Sequence, residues 1–241
     1  MCTVSFIARK NGYALGMNRD EKLARVPGLP PKLVTIRGRK ILCPSEPGGG
    51  TWIALNDSGV TFALINWYSV ARRVQRKAVS RGHVVRQASA ARNVEEALQI
   101  LSRRPLERTN PFRLIAVFPA TKQTFEWRWD LRKLVCERHP WRAEQWISSG
   151  YDEPTAQRIR SATFRQACQQ ASCGSIQWLR RLHRSHTPHK GPFSTCMHRD
   201  DAATVSYAEV SVLNSVGTLR YCPKAPCQKK LSSSQHLEIA W

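Results

Sequence analysis

The sequence predicts an α+β fold in which antiparallel sheets are covered by helices. Two observations are local: Asn11-Gly12 and Asn56-Asp57-Ser58-Gly59 are hairpin turns, each flanked by β-prone segments. The third is order. Strand-forming segments come first, then helical spacing, then strands, a helix and strands again, and runs segregated in this way favour antiparallel sheets over alternating βαβ units. Nothing repeats at a fixed period and no low-complexity linker divides the chain. Residues 1–241 are therefore expected to form one domain, and 241 residues with 41% hydrophobic content suffice for a substantial core.

Residues 3–9 alternate and 13–17 return across the Asn11-Gly12 turn, so the hairpin carries Asn18, Arg19 and Asp20 back beside Cys2. Residues 27–31 read as a loop. Gly48-Gly49-Gly50 leads into a strand over 51–55, which the second turn folds onto 60–66. From Val79 the spacing becomes helical, through "SRGHVVRQ" and then 93–103, where Asn93 and Glu96 stand in a capping-box relation. Residues 112–118 and 124–129 read as a strand pair. Pro154 opens a long helix with Ala156, Ile159, Thr163, Ala167 and Ala171 on one face. Strands are expected again over 204–213, 217–221 and 236–240.

No apolar run approaches the roughly 18 residues that span a bilayer, and the N-terminus lacks a basic stretch followed by an apolar one. No transmembrane segment and a cytoplasmic location are expected. The eight cysteines, at 2, 43, 136, 168, 173, 196, 222 and 227, show no framework spacing and read as free thiols. The pairs Cys168/Cys173 and Cys222/Cys227 have four intervening residues each, which is not a strong zinc spacing. His183, His186 and His189 form H-x-x-H-x-x-H with Cys196 and His198 following, but Pro188 interrupts the helix and the stretch reads as an exposed basic loop. No metal and no cofactor are expected.

The net charge of +21 has two readings. Two stretches free of acidic residues, 58–94 and 154–199, offer basic patches to an anionic surface. Alternatively, an arginine-biased composition is spread over solvated faces. No RNP, helix-turn-helix or zinc-finger pattern accompanies the charge, so a basic nucleic-acid-associated protein is only a third-ranked function.

The N-terminus carries the specific chemistry. With Met1 removed, Cys2 has both a thiol, with a pKa of about 8.5, and an α-amine of about 8, and the amine is a built-in base for the thiol. In the polar cluster Asn18-Arg19-Asp20-Glu21 an aspartate can hold that amine and an arginine can favour the thiolate.

"MCT" with "NRDE" at 18–21, then "GGGTWIALNDSGVTFALINWY" and "SRGHVV", resembles the NRDE family, also called the transport and Golgi organisation family. That family is similar in turn to N-terminal nucleophile hydrolases of the cholylglycine hydrolase and penicillin V acylase group. The resemblance implies a four-layer αββα sandwich, with Cys2 as nucleophile, Asp20 at its amine and Asn66 at the oxyanion site. "AQRIRSATF" resembles a serine-arginine helix segment of the acylases and puts Arg158 in the place of a second active-site arginine. Ser149, in "ISSGYDEP", stands where the acylases carry an asparagine, and Trp67 and Tyr68 adjoin Asn66 as candidates to line an acyl pocket. One departure has a geometric consequence. The acylases place their arginine before the asparagine, whereas Arg19 follows Asn18, and a one-position shift along a strand turns a side chain over. Arg19 is therefore expected to face away from Cys2.

The function these features imply is a cysteine N-terminal nucleophile hydrolase whose partner is a small-molecule amide or related acyl compound. The alternative is a non-catalytic protein that binds a lipid, haem or acyl ligand in membrane or cofactor trafficking.

Overall fold

The computed structural model describes residues 2–75, 77–228 and 233–240. Its strands in chain order are β1 (Cys2–Arg9), β2 (Gly12–Lys22), β3 (Leu29–Ile36), β4 (Arg39–Ser45), β5 (Ile53–Asn56), β6 (Thr61–Asn66), β7 (Phe112–Phe118), β8 (Gln123–Trp129), β9 (Leu134–His139), β10 (Glu144–Ser148), β11 (Ala202–Leu213), β12 (Val216–Cys222) and β13 (Ser233–Glu238). The helices are α1 (Gly82–Ala88), α2 (Val94–Ser102), α3 (Glu153–Cys168) and α4 (Ile176–Arg184). One sheet runs β10-β1-β2-β11-β12-β13 and the other β3-β4-β5-β6-β7-β8-β9, with every pairing antiparallel.

Side-chain alternation along the strands sets the layers. Val4, Phe6, Tyr13, Leu15 and Met17 of the first sheet pack onto Leu55, Ala63, Ile65, Ile115 and Val117 of the second. The residues between them point the other way: Ile7 and Ala14 meet Phe164, Trp178, Leu179 and Leu182 of α3 and α4. On the far side, Phe62, Leu64, Phe112 and Leu114 meet Val84, Val85, Ala97 and Leu101 of α1 and α2. The result is helix, sheet, sheet, helix: a four-layer αββα sandwich. Among the described residues no helix is long and apolar enough to cross a membrane.

The local signals act as their chemistry requires. Gly12 has φ +143°, and a Cβ there would meet the Val212 carbonyl oxygen of β11 at 1.9 Å, so the first hairpin needs glycine. Asn93 caps α2 by accepting from the Glu96 N–H at 2.9 Å. Residues 27–31, expected to be a loop, instead lead into edge strand β3, whose pairing shifts register between Leu29 and Lys32. Pro30 and Pro31 fall in that irregularity, where a missing N–H costs no ladder bond. Strands β3, β4, β9 and β10 and helix α4 are additions to the expected order.

Strand β10 is tied across the sandwich by buried charge. Glu126 on β8 has no solvent exposure and pairs with Arg113, with Arg128 at 2.9 Å and with His139 at 3.3 Å. His139 also pairs with Glu144 of β10 at 2.7 Å, and Arg113 donates to the Ile147 carbonyl at 3.2 Å. Burial opposes ionisation of Glu126, but His139 and the two arginines prevail and hold its pKa below the usual carboxylate value. Hydrogen bonds to Glu126 and Glu144 push His139 up to about 9.

A histidine whose pKa is raised on folding from about 6.5 stabilises the native state fully below that pH. The contribution is lost as pH rises through about 9. Urea unfolding from pH 6 to 10 is expected to show this decline, and His139→Gln to flatten it; parallel wild-type and variant curves would refute the assignment.

Candidate active site

Cys2 opens β1, and its neighbours follow from sheet register. It lies directly opposite Arg19 on β2 and Ser148 on β10, and its N–H donates to the Ser148 hydroxyl at 3.0 Å. Directly opposed residues share a face, so the side chains of Cys2 and Arg19 lie on the side that faces the second sheet. Arg19 therefore does not turn away from Cys2, as the one-residue shift had predicted. Its guanidinium lies over Trp52, 4.6 Å from the ring centroid, and donates to Glu46 at 3.0 Å.

The residues between them face the helices. Asn18 donates to the carbonyls of His183 (2.9 Å) and Thr195 (2.8 Å), which makes it a brace under α4. Asp20, 1% exposed, accepts from Thr204 Oγ1 at 2.6 Å and pairs with Arg160 at 3.2 Å. Arg160 also donates to Thr3 Oγ1 at 2.8 Å and to the Pro192 carbonyl at 3.2 Å. The arginine that enters the site from α3 is thus Arg160; Arg158 is exposed on the outer face of the helix. Likewise the serine at the Cys2 nitrogen is Ser148. Ser149 turns to the start of α3, where its N–H meets Glu153 at 3.4 Å and its hydroxyl accepts from the Tyr151 N–H at 3.3 Å.

A cavity of about 260 Å³ opens beside Cys2, and Asn66, Arg81, Thr51, Asp20 and Arg19 are among its walls. Asn66 thus shares the cavity of the thiol, at the end of β6, where its Nδ2 donates to the Tyr68 hydroxyl at 2.8 Å. Neither aromatic neighbour lines this cavity. Trp67, next along the chain, points the other way into a separate cleft with Arg113 and Gln157, and Tyr68 packs over Gly150, where a Cβ would meet its ring at 2.9 Å.

Sequence reasoning assigned no role to Arg81, Glu46 or Trp52. Glycines bring the first of these in. A Cβ on Gly82 would meet the Thr51 nitrogen at 2.8 Å and Gly50 Cα at 2.9 Å, and the Thr51 N–H donates to the Gly82 carbonyl at 3.1 Å. This close backbone approach sets Arg81 at the rim of the cavity, where it donates to the Pro111 carbonyl at 3.2 Å. "GGG" and "SRG" are thus two halves of one contact, the one sequence signal that could have led to Arg81.

Cys2 is 7% exposed. Burial pushes its thiol above the ordinary value and the Asp20 charge adds to this, while the charge of Arg19 and a hydrogen bond from the Asp20 backbone N–H act in the opposite direction. In a chain still capped by Met1, which lies outside the described residues, the thiol is held protonated at neutral pH.

The αββα sandwich, with Cys2 at the head of a strand beside a cavity, has counterparts in fold among solved structures of low sequence identity. Two variants of conjugated bile acid hydrolase from Clostridium perfringens share the fold. An arginine-to-leucine variant aligns with TM-score 0.56 over 99% of this chain and 92% of its own, at 11% identity. A cysteine-to-alanine variant aligns with TM-score 0.55 over 98% and 92%, also at 11% identity. Penicillin V acylase from Agrobacterium tumefaciens aligns over 92% of this chain and 82% of its own, with TM-score 0.49 and 10% identity. No curated protein sequence matches the chain. The family described as Transport and Golgi organisation 2 matches residues 1–132, more than half of the sequence, and the chain belongs to that family.

Removing Arg160 while keeping its bulk, as in Arg160→Met, leaves Asp20 buried and unpaired and is expected to cost about 3–5 kcal/mol in urea unfolding. Arg158→Ala is expected to stay within about 0.5 kcal/mol. Equal losses for the two would show that Asp20 does not depend on Arg160.

Proposed function

We propose that, with Met1 removed, this chain is a cysteine N-terminal nucleophile hydrolase that cleaves a small non-peptide amide or a related acyl group. The observation that supports this most is the placement of Cys2: its thiol borders a polar cavity while its nitrogen is held by Ser148 at 3.0 Å. The cavity volume of about 260 Å³ falls just below the ~300–1,000 Å³ of sites that enclose a whole drug-sized ligand, which suits an acyl group whose leaving portion extends outside.

In this reading the α-amine of Cys2 takes the thiol proton, and Sγ bonds to the substrate carbonyl carbon. The carbonyl oxygen takes up the negative charge, facing the Asn66 amide N–H and the Arg81 guanidinium. As the oxyanion collapses, the carbon–nitrogen bond breaks and the ammonium proton passes to the leaving amine. Water then attacks the thioester, releasing the acid and restoring the thiol. Arg19 and Arg81 favour the thiolate by charge, and Asp20 positions strand β2 from behind.

A second reading is a non-catalytic family member that binds a lipid, haem or acyl ligand in the same cavity for membrane or cofactor trafficking. The raised thiol pKa favours it, because a buried protonated thiol is inert. In either case the basic stretches support attraction to an anionic surface, which weakens with salt.

Brief labelling of Met1-free protein at neutral pH with a thiol-directed acyl probe, followed by peptide mapping, is expected to modify Cys2 ahead of Cys136, the exposed thiol. Equal or slower labelling of Cys2 would favour the binding reading. Asn66→Ala is expected to lower turnover of an acyl substrate by about 10²–10³ if its side chain is an oxyanion donor. An unchanged turnover number removes that role.

A further inference from the structure

The loop between α4 and β11 has little regular structure, yet Ser194, Thr195, Cys196 and Met197 are fully buried. The expectation of an exposed basic loop holds only for 187–190: His183 is buried on α4, His189 is exposed, and His186 turns inward. There it meets Cys196, His198 and Cys227, the last from the segment after β12, and the four ligand atoms all lie within 4.8 Å of one another.

Hydrogen bonding does not account for this convergence. His198 Nε2 lies 3.2 Å from His186 Nε2, 3.7 Å from Cys196 Sγ and 3.4 Å from Cys227 Sγ. An imidazole nitrogen has either one proton or one lone pair, so it can serve only one of three such partners. One central cation serves all four groups at once.

The distances from His198 suit zinc. Zinc bound at about 2.3 Å from sulfur and about 2.0–2.1 Å from nitrogen places tetrahedral ligand atoms about 3.3 Å apart for two nitrogens and about 3.5–3.6 Å apart for sulfur and nitrogen. The spacings here are 3.2, 3.4 and 3.7 Å. Two thiolates with two imidazoles also form a donor set that favours zinc over hard cations such as magnesium or calcium.

We propose that His186, Cys196, His198 and Cys227 form a structural zinc site. Four protein ligands close the coordination sphere, leaving no position for substrate. The consequence is mechanical. Thr195, between the ligands, accepts from Asn18 at 2.8 Å, and the Met197 N–H donates to Thr204 Oγ1, itself 2.6 Å from Asp20. Zinc would fix the segment that backs the NRDE strand. The inference is independent of any reactivity at Cys2. The four ligands are scattered over three loop positions, so the spacing of Cys222 and Cys227 gave no sign of it; the partner of Cys227 is Cys196.

The test uses the full chain, purified untagged under reducing conditions without chelators, and measures metal by inductively coupled plasma mass spectrometry. About one zinc per chain is expected in the wild type and in Cys168→Ser/Cys173→Ser, and none in Cys196→Ser/Cys227→Ser. Should the latter fail to fold, cobalt(II) added to demetallated wild type gives an independent reading. Intense visible bands of tetrahedral cobalt with thiolate charge transfer in the near ultraviolet are expected. Wild-type protein with reduced thiols that carries no zinc and gives no thiolate–cobalt signal overturns the proposal, as does zinc retained by a folded Cys196→Ser/Cys227→Ser variant.

Discussion

A carboxylate with no access to water must find a cation or lose its charge, and in this protein that constraint falls on Asp20. Its partner Arg160 is only 1% exposed and reaches it from α3. Around this pair meet Thr3 of β1, Thr204 of β11 and the carbonyl of Pro192, so one interaction joins three strands, a helix and a loop. Because Asp20 must face the helices to meet Arg160, the strand's alternation turns Arg19 to the side of Cys2. The sheet thus sends the side chains of Asn18 and Asp20 into bonds on the helix side and that of Arg19 to the side of Cys2, while Asp20, like Arg19, also borders the cavity.

The same rule orders the rest of the charge. The sequence has 38 basic and 17 acidic residues. Of the buried acids, Asp20, Glu126 and Glu209 are met by arginine or histidine, while Glu153 accepts from Ser69 and Ser149. Glu209 accepts from Arg180 Nε and Nη2 at 2.7 and 2.8 Å, and Glu126 holds the cluster that anchors β10. Since β10 supplies Ser148, the charge cluster on one side and the Asp20 pair on the other together fix the position of Cys2. Burying both charges costs much of what their attraction returns, so such pairs add little net stability, while breaking one leaves a costly unpaired charge.

Much of the fold was legible because its signals are local. The Asn11-Gly12 turn, the Asn93 cap and the alternation in β1, β2, β7 and β8 each depend on a few adjacent residues, and the family blocks lie in that same first part of the chain. What was not legible is non-local. The α3 face was read from its apolar residues, Ala156, Ile159, Thr163, Ala167 and Ala171, whereas the face most deeply buried follows Ala156, Arg160 and Phe164. A buried ion pair puts arginine where a hydrophobic stripe is sought, and the short resemblance of "AQRIRSATF" to the acylase segment points to Arg158, two residues short of Arg160. Ser148 was missed because β10 is only five residues long and its register on β1 decides which serine meets Cys2. Arg81 depends on the Gly50–Gly82 contact between segments some thirty residues apart.

All of the chemistry assigned to Cys2 rests on its carrying a free α-amine. The most direct measurement is the intact mass, with sequencing of the first residues, of the protein isolated from its native source. Loss of Met1, leaving Cys2 as the first residue, is the predicted result. Retention of Met1 in every molecule would contradict the nucleophile assignment, whatever the geometry of the cavity.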